Sequence, residues 1–196
     1  MSAPGYAAAR AVLDLLATRP PTLGEGHLVC VDGPAGSGKT TLATRLAEQV
    51  AGARVVHMDD LFEGWDGLPR VDAQLRGLLE PLGHGRPGRY RRWDWHADRW
   101  AEEVEVEPSS LLVLEGVGAG SLVTGPWTSV LAWVEAPHDL RMRRGIERDG
   151  EAFAPYWEAW SAAEVDHFAR HRTRERADLV LDGTGQDPAR TRPGPG

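Results

Sequence analysis

The chain has 196 residues, a length that fits one domain with a buried core. Its formal net charge is −7, with 29 acidic and 22 basic residues, which argues against a nucleic-acid partner but allows small anionic ligands. The single cysteine, Cys30, excludes a disulfide framework and a cysteine-based metal cluster, and its apolar neighbours predict a buried thiol.

The first predicted element is a helix over residues 7–18, which Pro20 and Pro21 end. This stretch carries Arg10 and Asp14 and lacks a basic leader before a long apolar run, so it does not resemble a signal peptide. No later segment approaches the roughly 18 apolar residues that a membrane span needs. We therefore predict a cytoplasmic protein with no membrane partner.

Short apolar runs then alternate with helical patterns. The apolar runs predict strands over 27–32, 54–57, 111–114, 130–134 and 178–181. The helical patterns cover 40–50, 68–82, 94–104, 139–148 and a long stretch over 151–176, with a glycine- and arginine-rich loop at 83–92. This alternation predicts an α/β domain with a parallel sheet covered on both faces. We assign residues 1–185 to this domain and predict a disordered tail over 186–196.

The segment between the first strand and the next helix matches the phosphate-loop pattern G-x-x-x-x-G-K-[ST]. Its glycines let successive N–H groups point at phosphate oxygens, and Lys39 would bridge the outer phosphates. Lys39 is the only lysine in the chain, which suggests that an arginine would not fit there. The predicted ATP-binding residues are Gly33, Pro34, Ala35, Gly36, Ser37, Gly38, Lys39, Thr40, Thr41 and Arg141.

Carboxylates follow two of the predicted strands, at the sheet edge where ligands bind in such folds. Asp59 and Asp60 end the second strand, and one of them is a candidate base for a substrate hydroxyl. The alternative is a solvated turn or a helix cap. Glu115 ends the third strand and, with the Thr40 hydroxyl, is a candidate Mg2+ ligand. The alternative is a surface glutamate.

Arginines cluster on the predicted helix after the fourth strand. Arg141, Arg144 and Arg148 share one helical face and could stabilise a transferring phosphoryl group, while Arg143 points elsewhere. The region 141–176 could close over the site as a lid. A solvated surface of arginine and glutamate is the alternative.

Aromatic side chains cluster between the second and third strands. Tyr90, Trp93, Trp95 and His96 are candidate substrate-binding residues, because a flat substrate can stack on aromatic rings. Packing in the core is the alternative for each aromatic ring.

Five motifs together resemble the uridine kinase and phosphoribulokinase family of P-loop kinases. They are GPAGSGKTT at 33–41, MDDLF at 58–62, WDW at 93–95, LLVLEGV at 111–117 and RMRRGIERD at 141–149. The resemblance implies a P-loop fold with a five-stranded parallel sheet and a helical lid, and the use of ATP and Mg2+. It also implies Asp60 as the base, with Asp59 and Phe62 beside the substrate and Glu115 as a magnesium partner.

The aromatic motif departs from that family. Uridine kinases carry Tyr-Asp-Phe followed by a histidine, whereas this chain has Trp93, Asp94 and Trp95, with Asp98 at the position of that histidine. We therefore expect an ATP-dependent kinase that phosphorylates a hydroxyl of a small molecule, either a nucleoside or a sugar, vitamin precursor or antibiotic. The residues expected to act in catalysis are Asp60, Lys39, Arg144 and Arg148. A nucleotide-dependent regulator without turnover is a third hypothesis.

Overall fold

The computed structural model describes residues 5–150, 154–185 and 190–191, with the backbone alone for 148, 149, 154, 190 and 191. In this part of the chain the strands are β1 His27–Asp32, β2 Arg54–His57, β3 Gly88–Asp94, β4 Arg99–Val106, β5 Leu111–Glu115, β6 Thr128–Glu135, β7 Leu179–Asp182 and β8 Arg190–Thr191. Six of them form one sheet in the order β2-β5-β1-β6-β7-β8.

The sheet is parallel from β2 to β7, and β8 pairs antiparallel with β7. The predicted five-stranded parallel sheet is therefore confirmed. Because the strands are parallel, the carboxyl ends of β1, β2, β5 and β6 meet at one edge. That edge carries the residues of the candidate site.

Helices follow most of the parallel strands. They are α1 Tyr6–Leu16, α2 Lys39–Gln49, α3 Asp72–Gly83, α4 His138–Asp149, α5 Ala154–His171 and α6 Thr173–Arg176. The helix predicted over 68–82 begins only at Asp72, because Leu68–Arg70 forms a separate 3-10 turn with Pro69 near its start.

Apolar side chains cover both faces of the sheet. On one face, Val29 and Val113 share a buried cluster with residues of α1 and α2. On the other, Leu28, Cys30 and Leu112 share a second cluster with α3 and α5. Cys30 is fully buried, and burial raises the pKa of its thiol to about 12, which confirms the predicted core thiol.

The segment 94–104 is not a helix, so that prediction was wrong. It belongs to an antiparallel hairpin of β3 and β4, which also includes part of the predicted loop before it. Across the hairpin, Arg92 pairs with Glu102 at 2.7 Å, and Trp93 contacts Trp100 edge to face with ring centroids 5.1 Å apart. Such cross-strand pairs stabilise a sheet, and here they outweigh the helical propensity of the glutamates.

Two predicted regions are only partly described. Of the predicted tail, 186–189 and 192–196 lie outside the described residues, whereas Arg190–Thr191 form β8. Within the predicted lid, 151–153 also lie outside them. Among the helices that are described, none has the length and apolar character to cross a membrane.

Candidate active site

The phosphate loop, Gly33–Thr40, links β1 directly to α2. Gly36 has φ +75°, and a side chain at this position would overlap the backbone of Arg141. Gly33 has φ +141° and lies equally close to the backbone of Val134. Only glycine fits both the left-handed backbone and these close approaches. The strand, loop and helix thus form the arrangement that the motif predicts.

Lys39 lies at the start of α2 and is only 7% exposed. Its ammonium donates a hydrogen bond to the carbonyl oxygen of Pro34, 2.9 Å away, within the same loop. Burial lowers the pKa of Lys39, and the nearby carboxylates of Glu164 and Glu115 oppose that shift. The side chain is therefore held inside the loop, in a strongly negative environment.

Thr40 and Glu115, the two predicted metal ligands, are in contact. The Thr40 hydroxyl donates to Oε1 of Glu115 at 3.1 Å, and Nδ1 of His57 lies 2.5 Å from the same oxygen. This hydrogen bond raises the pKa of His57. Sequence reasoning missed His57, although it ends β2 in register with Glu115, which ends β5.

The two aspartates that are candidates for the general base lie in a short 3-10 turn, Met58–Asp60, directly after β2. Asp60 is half-buried, and burial raises its pKa, while the positive charges of His57 and Arg92 lower it. Asp59 is exposed and lies within electrostatic range of Lys39. The turn thus brings Asp59 within electrostatic range of the phosphate loop and Asp60 within that of Glu115.

The arginines of α4 contact the phosphate loop from the opposite side. Arg141 donates to the carbonyl oxygen of Ala35 at 3.2 Å. Arg144 donates to the carbonyl oxygens of Gly36 at 3.3 Å and Gly183 at 3.1 Å. Arg144 also borders a cavity of about 290 Å³ beside Gly38. The side chain of Arg148 lies outside the described residues.

A cytidylate kinase from Haloarcula marismortui is 32% identical to this chain over 152 residues, which cover 77% of this chain and 67% of that protein. The chain belongs to the P-loop kinase family that includes this enzyme. A second cytidylate kinase, from Methanococcoides burtonii, is 24% identical, and the match covers 78% of this chain and 80% of that protein. No family model matches the chain.

Solved structures share the fold of the kinase. A candidate uridine kinase from Bacillus stearothermophilus has a TM-score of 0.58 and 24% identity, covering 88% of this chain and 98% of its own. A candidate fructose transport system kinase from Silicibacter sp. TM1040 has a TM-score of 0.62 and 23% identity, covering 92% and 100%. These likenesses confirm the predicted P-loop kinase fold.

The predicted substrate-binding aromatics of the kinase divide into buried and accessible residues. Phe62 is fully buried, and Tyr90 and Trp93 are 7% and 8% exposed. Burial raises the pKa of Tyr90 to about 12, and the nearby charge of Asp60 adds to this shift. The indole N–H of Trp95 donates to the carbonyl oxygen of Asp59 at 2.9 Å. Trp95 is therefore the predicted ring with a direct contact to the Asp59–Asp60 turn.

His96 is exposed, at the turn between β3 and β4. Its backbone N–H donates to the side chain of Asp94 at 3.0 Å, which fixes the turn. A role for His96 in substrate binding stays a prediction.

Trp65 and Tyr156 also belong to the aromatic cluster. Sequence reasoning did not identify the contact between them. Their rings stack with centroids 4.9 Å apart and planes 6° from parallel. Trp65 also contacts Trp95 and Trp160 edge to face. Because Tyr156 lies on α5, the cluster connects the predicted lid to the side of the kinase that carries Asp60.

Asp32 is another residue that sequence reasoning missed. It is fully buried, and its carboxylate accepts N–H bonds from Gly33, Gly118 and Gly120 at 2.7–2.9 Å. Burial raises its pKa to about 6, although these bonds and Lys39 lower it. Asp32 thus connects the phosphate loop to the loop after β5. A charged residue at the end of a buried strand was the available signal.

Glu164, which lies on α5, was also missed. It is 3% exposed, and its carboxylate contacts the phosphate loop at the Ala35 N–H, 2.8 Å away. It is 129 residues away from Ala35 in the chain, so no local pattern could have indicated this contact.

Proposed function

We propose that the kinase transfers the γ-phosphoryl group of ATP to a hydroxyl group of a small molecule. The observation that carries this proposal is that the half-buried Asp60 follows β2 and Arg144 follows β6, on opposite sides of β1 and the phosphate loop. Phosphoryl transfer needs a positioned donor, charge stabilisation and a proton acceptor for the attacking hydroxyl. The candidate site contains a residue suited to each task.

The donor side is supported by the phosphate loop and by α4. Backbone N–H groups and Lys39 would hold the phosphates, and Arg141 contacts the loop beside them. The cavity next to Gly38 and Arg144, about 290 Å³ in volume, offers room for the nucleoside part of ATP. Arg144 would then shift from the loop carbonyls to the nucleotide.

Mg2+ fits the Thr40 and Glu115 pair, because a hydroxyl and a carboxylate in contact are oxygen ligands of the kind that this ion prefers. Within the described residues, no group of three or more His, Cys, Asp or Glu side chains could hold a metal. That fits an ion held by one or two protein oxygens together with phosphate oxygens. When bound, Mg2+ offsets the negative charge of the phosphates.

Asp60 would accept the proton of the attacking hydroxyl. Its raised pKa makes it a better proton acceptor than an ordinary aspartate, provided that it is ionised at the working pH. His57, which pairs with Glu115 and lowers the pKa of Asp60, helps to keep that carboxylate ionised.

The charge on the acceptor side favours a hydroxyl over a phosphate as the acceptor. Asp59, Asp60 and Glu115 place three carboxylates there, and the two cations near Asp60 are already paired, His57 with Glu115 and Arg92 with Glu102. An acceptor phosphate would bring further negative charge into this region, at a cost in binding free energy. A neutral alcohol would not.

A nucleoside monophosphate is the second candidate acceptor. The 32% identity to a cytidylate kinase favours it, because cytidylate carries a phosphate group that can itself accept a phosphoryl group. This candidate requires cations to reach the acceptor, and the Arg92–Glu102 pair would have to open for that purpose.

ADP release with Mg-ATP separates the candidates when measured against parallel panels of nucleosides, other small alcohols and nucleoside monophosphates. We expect stimulation by a member of the first two panels. Stimulation by monophosphates alone would support the second candidate and contradict the first. If no acceptor stimulates release above slow hydrolysis, the regulator hypothesis is favoured instead.

A further inference from the structure

The carboxylate of Glu164 occupies part of the anion-binding surface of the phosphate loop. One oxygen, Oε1, accepts hydrogen bonds from the Ala35 N–H and from the indole N–H of Trp160, both at 2.8 Å. The side chain is 3% exposed; burial raises its pKa, while Lys39, these two donors and Arg141 oppose that shift. A backbone N–H of this loop is the kind of donor that would otherwise bind a phosphate oxygen.

Cations also face this carboxylate. The guanidinium of Arg141 lies 3.9 Å from Oε2 of Glu164. Of the carboxylates that oppose the lowered pKa of Lys39, Glu164 has the largest effect. A loop amide and a guanidinium therefore face one carboxylate, and both are groups that bind a phosphate.

The position of Glu164 corresponds to the outer end of a bound polyphosphate. In phosphate loops the N–H groups at the start of the helix bind the inner phosphates, and the lysine reaches the outer ones. Glu164 lies within electrostatic range of Lys39 and accepts from the N–H of Ala35, which lies four residues before the start of α2. The carboxylate therefore lies where the outermost phosphate of a triphosphate would compete with it.

We propose that Glu164 competes with the terminal phosphate of the donor nucleotide and so lowers the affinity of the kinase for the triphosphate relative to the diphosphate. This inference rests on the proposed use of a nucleoside triphosphate as donor. A triphosphate must displace the carboxylate from Ala35, whereas a diphosphate leaves that contact in place. Displacement also breaks a contact between α5 and the loop, so the position of α5 depends on the terminal phosphate.

The test compares Glu164→Gln with the wild-type chain by isothermal titration with Mg2+ and either ADP or a non-hydrolysable ATP analogue. Glutamine keeps an oxygen for Ala35 and Trp160 and removes only the negative charge. We expect the variant to bind the ATP analogue about tenfold more tightly and ADP less than about threefold more tightly. Glu158→Gln, an exposed glutamate on the same helix, is the matched control and should change neither affinity.

An equal change for both ligands, no change, or weaker binding of the ATP analogue would overturn this inference alone. If the wild-type chain binds neither ligand, the proposed function fails, and this inference fails with it. Circular dichroism checks the fold of the variant. If Glu164→Gln does not fold, Glu164→Asp withdraws the carboxylate by one methylene and should shift the affinity ratio in the same direction, by about threefold. An unchanged ratio in Glu164→Asp would overturn the inference.

Discussion

At the scale of single residues, the shape of the Lys39 side chain matters as much as its charge. The chain uses arginine for every other basic residue, yet the phosphate loop contains an ammonium. Lys39 is 7% exposed and bonds to Pro34 inside the loop. A planar guanidinium needs more width and presents five donors in a fixed geometry. We therefore expect a guanidinium at this buried position to displace the loop.

Replacing Lys39 by arginine should therefore impair the kinase although the charge is kept. We expect Lys39→Arg to lower kcat/KM for ATP roughly 100-fold, a loss typical of removing one positioned phosphate donor. Steady-state ADP release with varied ATP measures this. Arg10→Lys, a swap in the opposite direction within an exposed ion pair on α1, is the control and should leave kcat/KM unchanged. A Lys39→Arg variant with wild-type kinetics would contradict the geometric argument.

Asp60 should determine the acidic side of the pH profile. The carboxylate accepts a proton only when it is ionised, and burial raises its pKa above the ordinary value for aspartate. Turnover should consequently fall as the pH drops through that raised pKa, at a higher pH than for an exposed aspartate. The kcat measured against pH, on an acceptor that stimulates ADP release, tests this expectation.

Asp60→Asn removes the same base. We expect kcat to fall by about 10²- to 10⁴-fold, with little change in the binding of ATP. Asp59→Asn, at the exposed neighbouring position, should have a much smaller effect on kcat. Near wild-type turnover in Asp60→Asn would rule out Asp60 as the base.

At the scale of elements, the contact between α3 and β3 positions the hairpin. A Cβ atom at Gly88, the first residue of β3, would overlap the carbonyl group of Leu78 on α3. We expect Gly88→Ala to lower the free energy of unfolding by about 1–3 kcal/mol, because the strand and the helix must separate. Urea-induced unfolding measures this change.

The control for that variant is Gly125→Ala, where an added Cβ would meet only ordinary contacts. It should leave the free energy of unfolding nearly unchanged. Equal effects at the two glycines would contradict the close approach of β3 to α3.

Elements with local signals could be predicted from the sequence, and the hairpin could not. The apolar runs of β1, β2 and β5 end at turn or loop residues, so their positions were predicted to within about one residue. The stretch that forms β4 contains several glutamates, which also favour helices. Its pairing with β3 depends on cross-strand contacts such as Arg92 to Glu102, and no local pattern shows them.

At the scale of the whole molecule, the predictable part of the candidate site lies in one loop and at the ends of two parallel strands. The phosphate loop lies in one segment, and parallel strands bring Asp60 and Glu115 to the same edge, so both could be predicted. Asp32 had a sequence signal that was overlooked. Glu164 and the Trp65–Tyr156 stack depend on how α5 packs over the sheet edge. No local sequence pattern indicates how α5 packs there.

The linkage of the transferred phosphoryl group shows whether the acceptor is an alcohol. The kinase, Mg2+ and ATP are incubated with the acceptor that gives the strongest ADP release, and the products are examined by 31P NMR. We predict that the product is a phosphomonoester, in which the phosphorus is bonded through oxygen to carbon, and that it forms in equal amount to ADP. A new diphosphate linkage on a nucleoside monophosphate, or inorganic phosphate as the sole product besides ADP, would contradict it.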